Sequence, residues 1–318
     1  MRIRIYILVL LSMCYSGLTA QTAYKNEFGF RNDNDAYLAY GQDQYYTNGL
    51  FIYFRQAMNQ SKHGQTINKQ IWEVEAGQKM YNPFTGNVPK ISQIDRPFAA
   101  YLYAGASLSR FYNSENSLKV SLQVGTIGPR ALGKEAQELI HRIGGFYKIK
   151  GWETQIKNEI GINSILEYNH FLSRSSSQKT DFSLTGAANL GNTFAGASLG
   201  ILFRIGDINQ MFNSASTNSS ISNNSTTAPL VDREFFFFAK PSLNFIAYNA
   251  TIQGGMFQKE KEVVTFDIHP WVFSQELGLK YSKKRWTADF SIIFKSREVK
   301  SWAKANQYGS LGLCYRFN

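Results

Sequence analysis

Leu118-Lys119-Val120-Ser121-Leu122-Gln123-Val124-Gly125 reads apolar, polar, apolar, polar without a break. Successive side chains of a strand point to opposite faces. Leu118, Val120, Leu122 and Val124 therefore make one oily row, and Lys119, Ser121, Gln123 and Gly125 a wet one. The same alternation returns along most of the chain. So many two-faced strands fit a closed barrel with lipid outside and polar groups inside, because hydrocarbon offers no water to satisfy an open sheet edge.

The N-terminus supports export. Arg2 and Arg4 precede an apolar run over 5–13, and Leu18-Thr19-Ala20 forms a small-residue site before Gln21, so residues 1–20 read as a cleaved signal peptide. The run is too short to span a bilayer as a helix. Met13 is too bulky before Cys14 for the lipidation alternative. Cleavage leaves 298 of the 318 residues, a length that suits one barrel domain over 21–318 with sizeable loops. The formal net charge falls from +11 to +9 as Arg2 and Arg4 leave. A basic exported protein can meet anionic headgroups or phosphorylated saccharide, and its compartment argues against nucleic acid. With Cys14 removed, Cys314 is alone, so no disulfide framework exists, and Cys314 reads as a small wall-lining residue.

Periodicity predicts strands at 27–31, 46–57, 70–79, 99–111, 118–127, 154–171, 180–190, 194–204, 234–248, 271–281, 286–294 and 308–317. Twelve is an even number, as termini on one side of the membrane require. The expected fold is an all-β, twelve-stranded antiparallel transmembrane β-barrel with a short helix in an extracellular loop. That helix falls at 131–144, where Leu132, Ala136, Leu139, Ile140 and Ile143 form one stripe and Lys134, Gln137 and His141 lie opposite. Gly144-Gly145 ends it. The stretch 209–228, rich in Ser, Asn and Thr, reads as a flexible loop with little to bury, and strand counting assigns it to the periplasmic side.

Counting strands from the N-terminus brings Asn32-Asp33-Asn34-Asp35 and Tyr45-Tyr46-Thr47-Asn48-Gly49 to one extracellular rim. Oxygen-rich side chains at this density can bind a hard cation, or can simply build an Asn/Asp turn. His141 is one of four histidines. An imidazole can take a proton from water during ester hydrolysis, and an exposed loop histidine is the plainer alternative. Gln137, one turn earlier, or Glu138 could orient its ring. His63, His170 and His269 show no partner motif. Arg96, in Asp95-Arg96-Pro97-Phe98-Ala99, could hold a phosphate or pair with Asp95. The sequence contains no H-E-x-x-H or P-loop element, which removes the usual support for zinc-protease and nucleotide readings.

The order of motifs is more specific than any one of them. Asp33-Asn34-Asp35, Asp43-Gln44-Tyr45-Tyr46-Thr47-Asn48-Gly49, Asp95-Arg96-Pro97-Phe98-Ala99, Gly128-Pro129, Leu132-Gly133, Gln137, His141, Gly144, Gly151-Trp152-Glu153, Gln155, Asn158-Glu159 and Gln307-Tyr308-Gly309-Ser310-Leu311 follow one another along the chain. This succession resembles the outer-membrane lipid A 3′-O-deacylase family. The family usually has Glu where Asp33 stands here, and its pattern differs slightly around Phe98-Ala99-Ala100.

The resemblance implies a bacterial outer-membrane barrel with its site between barrel wall and loop helix, at the level of the outer leaflet. It implies a Ca2+-dependent ester hydrolase that removes the 3′-O-linked acyloxyacyl group of lipid A in lipopolysaccharide. On that reading His141 is the general base with Gln137 beside it. Asn34 and Asp35 belong to the calcium site, Thr47 stands next to it, and Tyr46 and Arg96 contact substrate. The apolar helix stripe would then touch acyl chains or lipid. A monomer embedded in the membrane is expected. A non-catalytic channel or adhesion barrel, and an outer-membrane phospholipase, stay open as alternatives.

Overall fold

The computed structural model describes residues 24–38, 43–62, 64, 66–225 and 227–318. The signal peptide read at 1–20 and His63 lie outside these residues. Twelve strands form a closed antiparallel barrel in which each pairs with its sequence neighbours. They are β1 (Asn26–Asn34), β2 (Tyr45–Ala57), β3 (Ile67–Asn82), β4 (Ala99–Tyr112), β5 (Ser117–Ile127), β6 (Glu159–Arg174), β7 (Thr180–Gly191), β8 (Phe194–Asp207), β9 (Arg233–Asn249), β10 (Trp271–Lys283), β11 (Trp286–Lys295) and β12 (Asn306–Phe317). The barrel closes where β1 meets β12, from Asn26 opposite Phe317 to Asn34 opposite Gly309.

The faces follow the alternation. Val120, Leu122 and Val124 of β5 are each about half exposed, whereas Tyr101 and Tyr103 of β4 point inward and are buried. Aromatic pairs mark both ends of the apolar band. Trp286 packs on Tyr315 at one end and Trp271 on Phe245 at the other, as interfacial girdles do. Inside, charged groups are paired: Arg55 bonds Glu27 at 2.8 Å and also Glu73, which takes Lys119 at 2.9 Å. Burial without such partners would be costly.

The sequence reading of 209–228 is corrected by the structure. This β8–β9 connection is folded into the periplasmic mouth. Phe212 and Ile221 pack against Ala57, Ile71 and Phe111, and Ile208 and Met211 against Leu202, Phe236 and Phe238. Its polar groups meet charges of the barrel wall. Lys69 Nζ donates to Asn213 Oδ1 (3.0 Å) and the Ser219 carbonyl (2.7 Å). Arg204 donates to Ser214 and Ser216, and Glu234 accepts from Ser214 Oγ and from the backbone of Asn209 and Ala215. A Ser/Asn-rich segment is ordered here because the buried charges of the wall satisfy it.

The opposite mouth is covered by the connections 83–98, 250–270 and 296–305. Tyr45, Ile252, Ile268, Val299 and Ala303 form their apolar core. Between cap and plug lie polar cavities of about 550 and 450 Å³. A second difference concerns β6, which starts at Glu159 and not at 154. Trp152–Thr154 is a short 3-10 turn, fixed by burial of Trp152 against Phe98 with ring centroids 5.3 Å apart.

The predicted loop helix is α1 (Gly133–Gly144). It lies against the outside of the barrel at the extracellular rim, where Met80, Ala100 and Ala131 share one apolar cluster with Trp152, and Ala136 and Leu102 pack on its edge. Gly133 permits this approach, since a Cβ there would come within 2.5 Å of the Ala100 side chain. Gln78 Nε2 donates to the Ala131 carbonyl at 2.6 Å and ties the helix entry to β3. Gln137 and His141 are buried toward the wall, whereas Leu139, Ile140 and Ile143 are exposed.

Candidate functional site

A distortion in β2 opens the site. Pairing steps from Tyr46 opposite Tyr81 to Asn48 opposite Met80, which leaves Thr47 as an extra residue in the ladder. Such bulges re-aim side chains at barrel rims. Thr47 is buried and its Oγ1 contacts Asp35 Oδ2 at 3.0 Å and Asp43 Oδ1 at 3.2 Å. Asp35 follows the end of β1 and also accepts from Gln44 N at 2.6 Å. Burial, with Asp43 nearby, pushes the Asp35 carboxyl up to about 7 against the opposing effect of the Gln44 hydrogen bond.

Asp43 links this oxygen cluster to α1. Its Oδ2 lies 2.8 Å from His141 Nε2 and also accepts the Tyr147 hydroxyl proton. His141 Nδ1 is 2.7 Å from the Tyr147 carbonyl, which can only accept, so Nδ1 carries a proton and Nε2 faces the cluster. Burial and the bond to Asp43 push the Tyr147 phenol up to about 12, keeping it a donor. Gln137 Oε1 accepts from Trp152 Nε1 at 2.6 Å, which fixes the side chain one turn before His141.

The structure thus brings together His141, Gln137, Asp35 and Thr47. Asn34 stands beside Asp35, but its Oδ1 accepts from Ala36 N at 2.7 Å, in a local turn. The other two candidates point elsewhere. Tyr46 donates to Asp33 Oδ2 at 2.8 Å, packs on Tyr81 and Tyr308 and lines the lumen. Arg96 is buried, with Nη2 donating to Thr251 Oγ1 at 2.9 Å and its guanidinium 4.3 Å from the Tyr81 ring centroid. Neither touches His141 or Asp35. The sequence reading assigned no role to Asp43 or Tyr147. Asp43 sits inside the Asp43–Gly49 motif four residues before Thr47, and that spacing was the available signal.

Among the described residues, no three His, Cys, Asp or Glu side chains cluster as a metal site. A cation here would therefore rely on two carboxylates, Asp35 and Asp43, with the neutral Thr47 hydroxyl between them. That all-oxygen set suits a hard cation such as Ca2+, and a positive charge would offset the burial and, beside it, the Asp43 charge that raise Asp35. The residues fit the ion.

A family profile described as "Outer membrane protein LpxR" matches residues 5–317. The chain belongs to the LpxR family. LpxR from Salmonella typhimurium superposes with a TM-score of 0.74 at 20% identity, over 92% of this chain and all of that one. The β domain of the Bordetella autotransporter BrkA matches at TM-score 0.49 and 10% identity, over 93% of this chain and 99% of that one. No curated protein matches in sequence. The fold and the family are those that the ordered motifs resemble, and LpxR proteins are outer-membrane proteins. This chain is accordingly an outer-membrane barrel of the lipid A deacylase family.

Proposed function

We propose that this LpxR-family barrel hydrolyses the 3′-O-linked acyloxyacyl ester of lipid A, with His141 as general base. One observation carries the reading. His141, Asp43, Thr47 and Asp35 form a continuous chain of contacts, beside a helix packed on the outside of the barrel wall. An esterase acting on a lipid of the outer leaflet needs its base at the lipid-facing surface, not in the lumen. With Nδ1–H held by the Tyr147 carbonyl, Nε2 is the nitrogen that serves as base: its 2.8 Å contact with the Asp43 carboxylate is that of the protonated ring, and in the neutral ring Nε2 instead accepts from the attacking water. Asp43 stabilises the imidazolium that results, and Tyr147 keeps the Asp43 carboxylate in place. Asp35, Thr47 and Asp43 would hold Ca2+, which when bound supplies polarisation of the ester carbonyl. Asn34, whose Oδ1 accepts from Ala36 N in the turn, would stand next to that ion beside Asp35.

The capped and plugged barrel gives the channel reading no support. A phospholipase would use the same residues, so substrate decides. Purified protein is incubated separately with lipopolysaccharide and with phospholipid vesicles in Ca2+, and products are read by mass spectrometry. Loss of the 3′-acyloxyacyl mass from lipid A, absent in His141→Ala, is the expected result. Fatty acid released only from phospholipid would overturn it.

A further inference from the structure

A third cavity, of about 350 Å³, lies at the periplasmic mouth, at the far end of the barrel from the candidate site. Its walls come from two parts of the chain. The plug contributes Ser220, Ser222 and Ser225, and the barrel contributes Arg316 of β12 with Ser282 and Lys283 of β10. Lys283 and Lys284, at the turn between β10 and β11, are exposed, whereas Arg316 is only 6% exposed. The cavity therefore runs from the surface inward to a buried guanidinium.

That guanidinium meets neutral oxygens alone. Nη2 donates to Ser282 Oγ and to the Trp286 carbonyl, both at 2.9 Å, Nη1 reaches only the Ser220 carbonyl at 3.4 Å, and Nε has no partner. Among the described residues no carboxylate stands in ion-pair contact with it. Glu27 pairs with Arg55, and both oxygens of Glu234 are taken by the plug, from Asn209 N, Ser214 Oγ and Ala215 N. Asp232 stands at the exposed rim. One residue along the plug, buried Lys69 is likewise bonded only to neutral oxygens, Asn213 Oδ1 and the Ser219 carbonyl. Buried cations without an ion partner are costly, and an anion beside them offsets that cost.

The remaining donors indicate which anion. The Ser220 hydroxyl is buried, has no partner and lines the same cavity. A guanidinium, serine hydroxyls and two ammonium groups around one space suit a ligand with several charged acceptor oxygens, which a phosphate offers. Trp286 packs on Tyr315 beside the β10–β11 turn, in the aromatic belt of this end, so the cavity mouth stands at headgroup depth.

We propose that this cavity binds a phosphate group, supplied by the headgroup of an inner-leaflet phospholipid or by phosphate free in the periplasm. The anion sits between the plug serines and the Arg316, Lys283 and Lys284 cations of the wall, and so fastens plug to barrel. It does not depend on the deacylase reading.

The test follows heat unfolding of the purified barrel in a non-ionic detergent. One arm titrates sodium phosphate against sodium chloride of matched ionic strength. The other titrates dioctanoyl-phosphatidylglycerol against dioctanoylglycerol, which lacks the phosphate. A saturable rise of roughly 2–4 °C is expected in at least one arm, because a ligand bound only by the folded state stabilises it. A rise with sodium phosphate identifies the free anion as a source, and a rise with the phospholipid alone identifies the headgroup. Arg316→Met should abolish the rise. Lys283→Gln with Lys284→Gln, at exposed positions, should increase the half-saturating concentration several-fold. No rise in either arm overturns the proposal, as does a rise of full size in Arg316→Met. Should Arg316→Met fail to fold, the lysine variant decides, an unshifted half-saturation overturning the assignment.

Discussion

His141 Nε2 and Asp43 Oδ2, from two different extracellular connections, stand 2.8 Å apart above the outer wall of the barrel. The contact joins a candidate base to a candidate cation site, and every chemical expectation for this chain passes through it. His141→Ala should reduce acyl release by about 10²- to 10⁴-fold, the usual contribution of a general base. Asp43→Asn should also lower release, since it loses both the charge that stabilises the imidazolium and one of the two carboxylates of the cation site. Product mass spectrometry gives both numbers. Asp43→Asn at full activity would separate the carboxylate from the reaction.

Asp35 supplies a pH signature. Its carboxyl is raised to about 7, so the metal-free folded protein keeps a proton there that the unfolded chain releases near the ordinary value of 3.8. Folding stability from this group is then fully present below about pH 4 and declines as pH rises toward 7, above which it is flat. Heat-unfolding midpoints in chelator and detergent should fall over that window, and Asp35→Asn should flatten the fall. Ca2+ should bind more tightly above pH 7 than below it, with proton release on binding. A wild-type midpoint that rises between pH 4 and 7, with no change in slope for Asp35→Asn, would contradict the assignment.

The plug predicts electrical silence. With 208–225 and 227–232 seated in the periplasmic mouth by Lys69, Arg204 and Glu234, wild type should show no steady conductance in a planar bilayer. Replacing 210–227 by a short Gly/Ser turn should open discrete conductance steps, because the apolar lining of Phe212, Ile221, Ile208 and Met211 leaves with it. Wild-type conductance equal to that of the deletion would revive the channel reading.

How much of this was readable differs by element and for physical reasons. Alternation along β5 was plain because lipid on one side and water on the other impose opposite polarity on neighbouring residues. The plug was obscured by its composition: its Ser and Asn side chains look solvated, and their partners Lys69, Arg204 and Glu234 lie on distant strands. Thr47 marks where parity fails: Tyr46 faces the lumen and Thr47 the outer cluster, but beyond the bulge the alternation resumes one step out of phase, which is a tertiary matter. Arg96 looked like a phosphate ligand because its burial under the cap depends on Thr251 and Tyr81, which no local pattern reveals. His141 was found by residue type, but Asp43, its contact, had no local mark beyond the motif.

The faces of α1 make a last prediction. Gln137 and His141 point to the wall, whereas Leu139, Ile140 and Ile143 are exposed. Along this stripe Ala136 is partly buried against the same cluster as Leu102, an outward-facing residue of the barrel. The stripe therefore continues the lipid-facing band, and at about 25 cal/mol per Å² its insertion into acyl chains favours a docked helix. Leu139→Ser with Ile140→Ser should cut acyl release from lipopolysaccharide embedded in vesicles several-fold. It should leave release from detergent-dispersed substrate nearly unaltered, because His141 and Asp43 are untouched. Equal losses in both formats would mean that the stripe supports the fold of the site and not its contact with lipid.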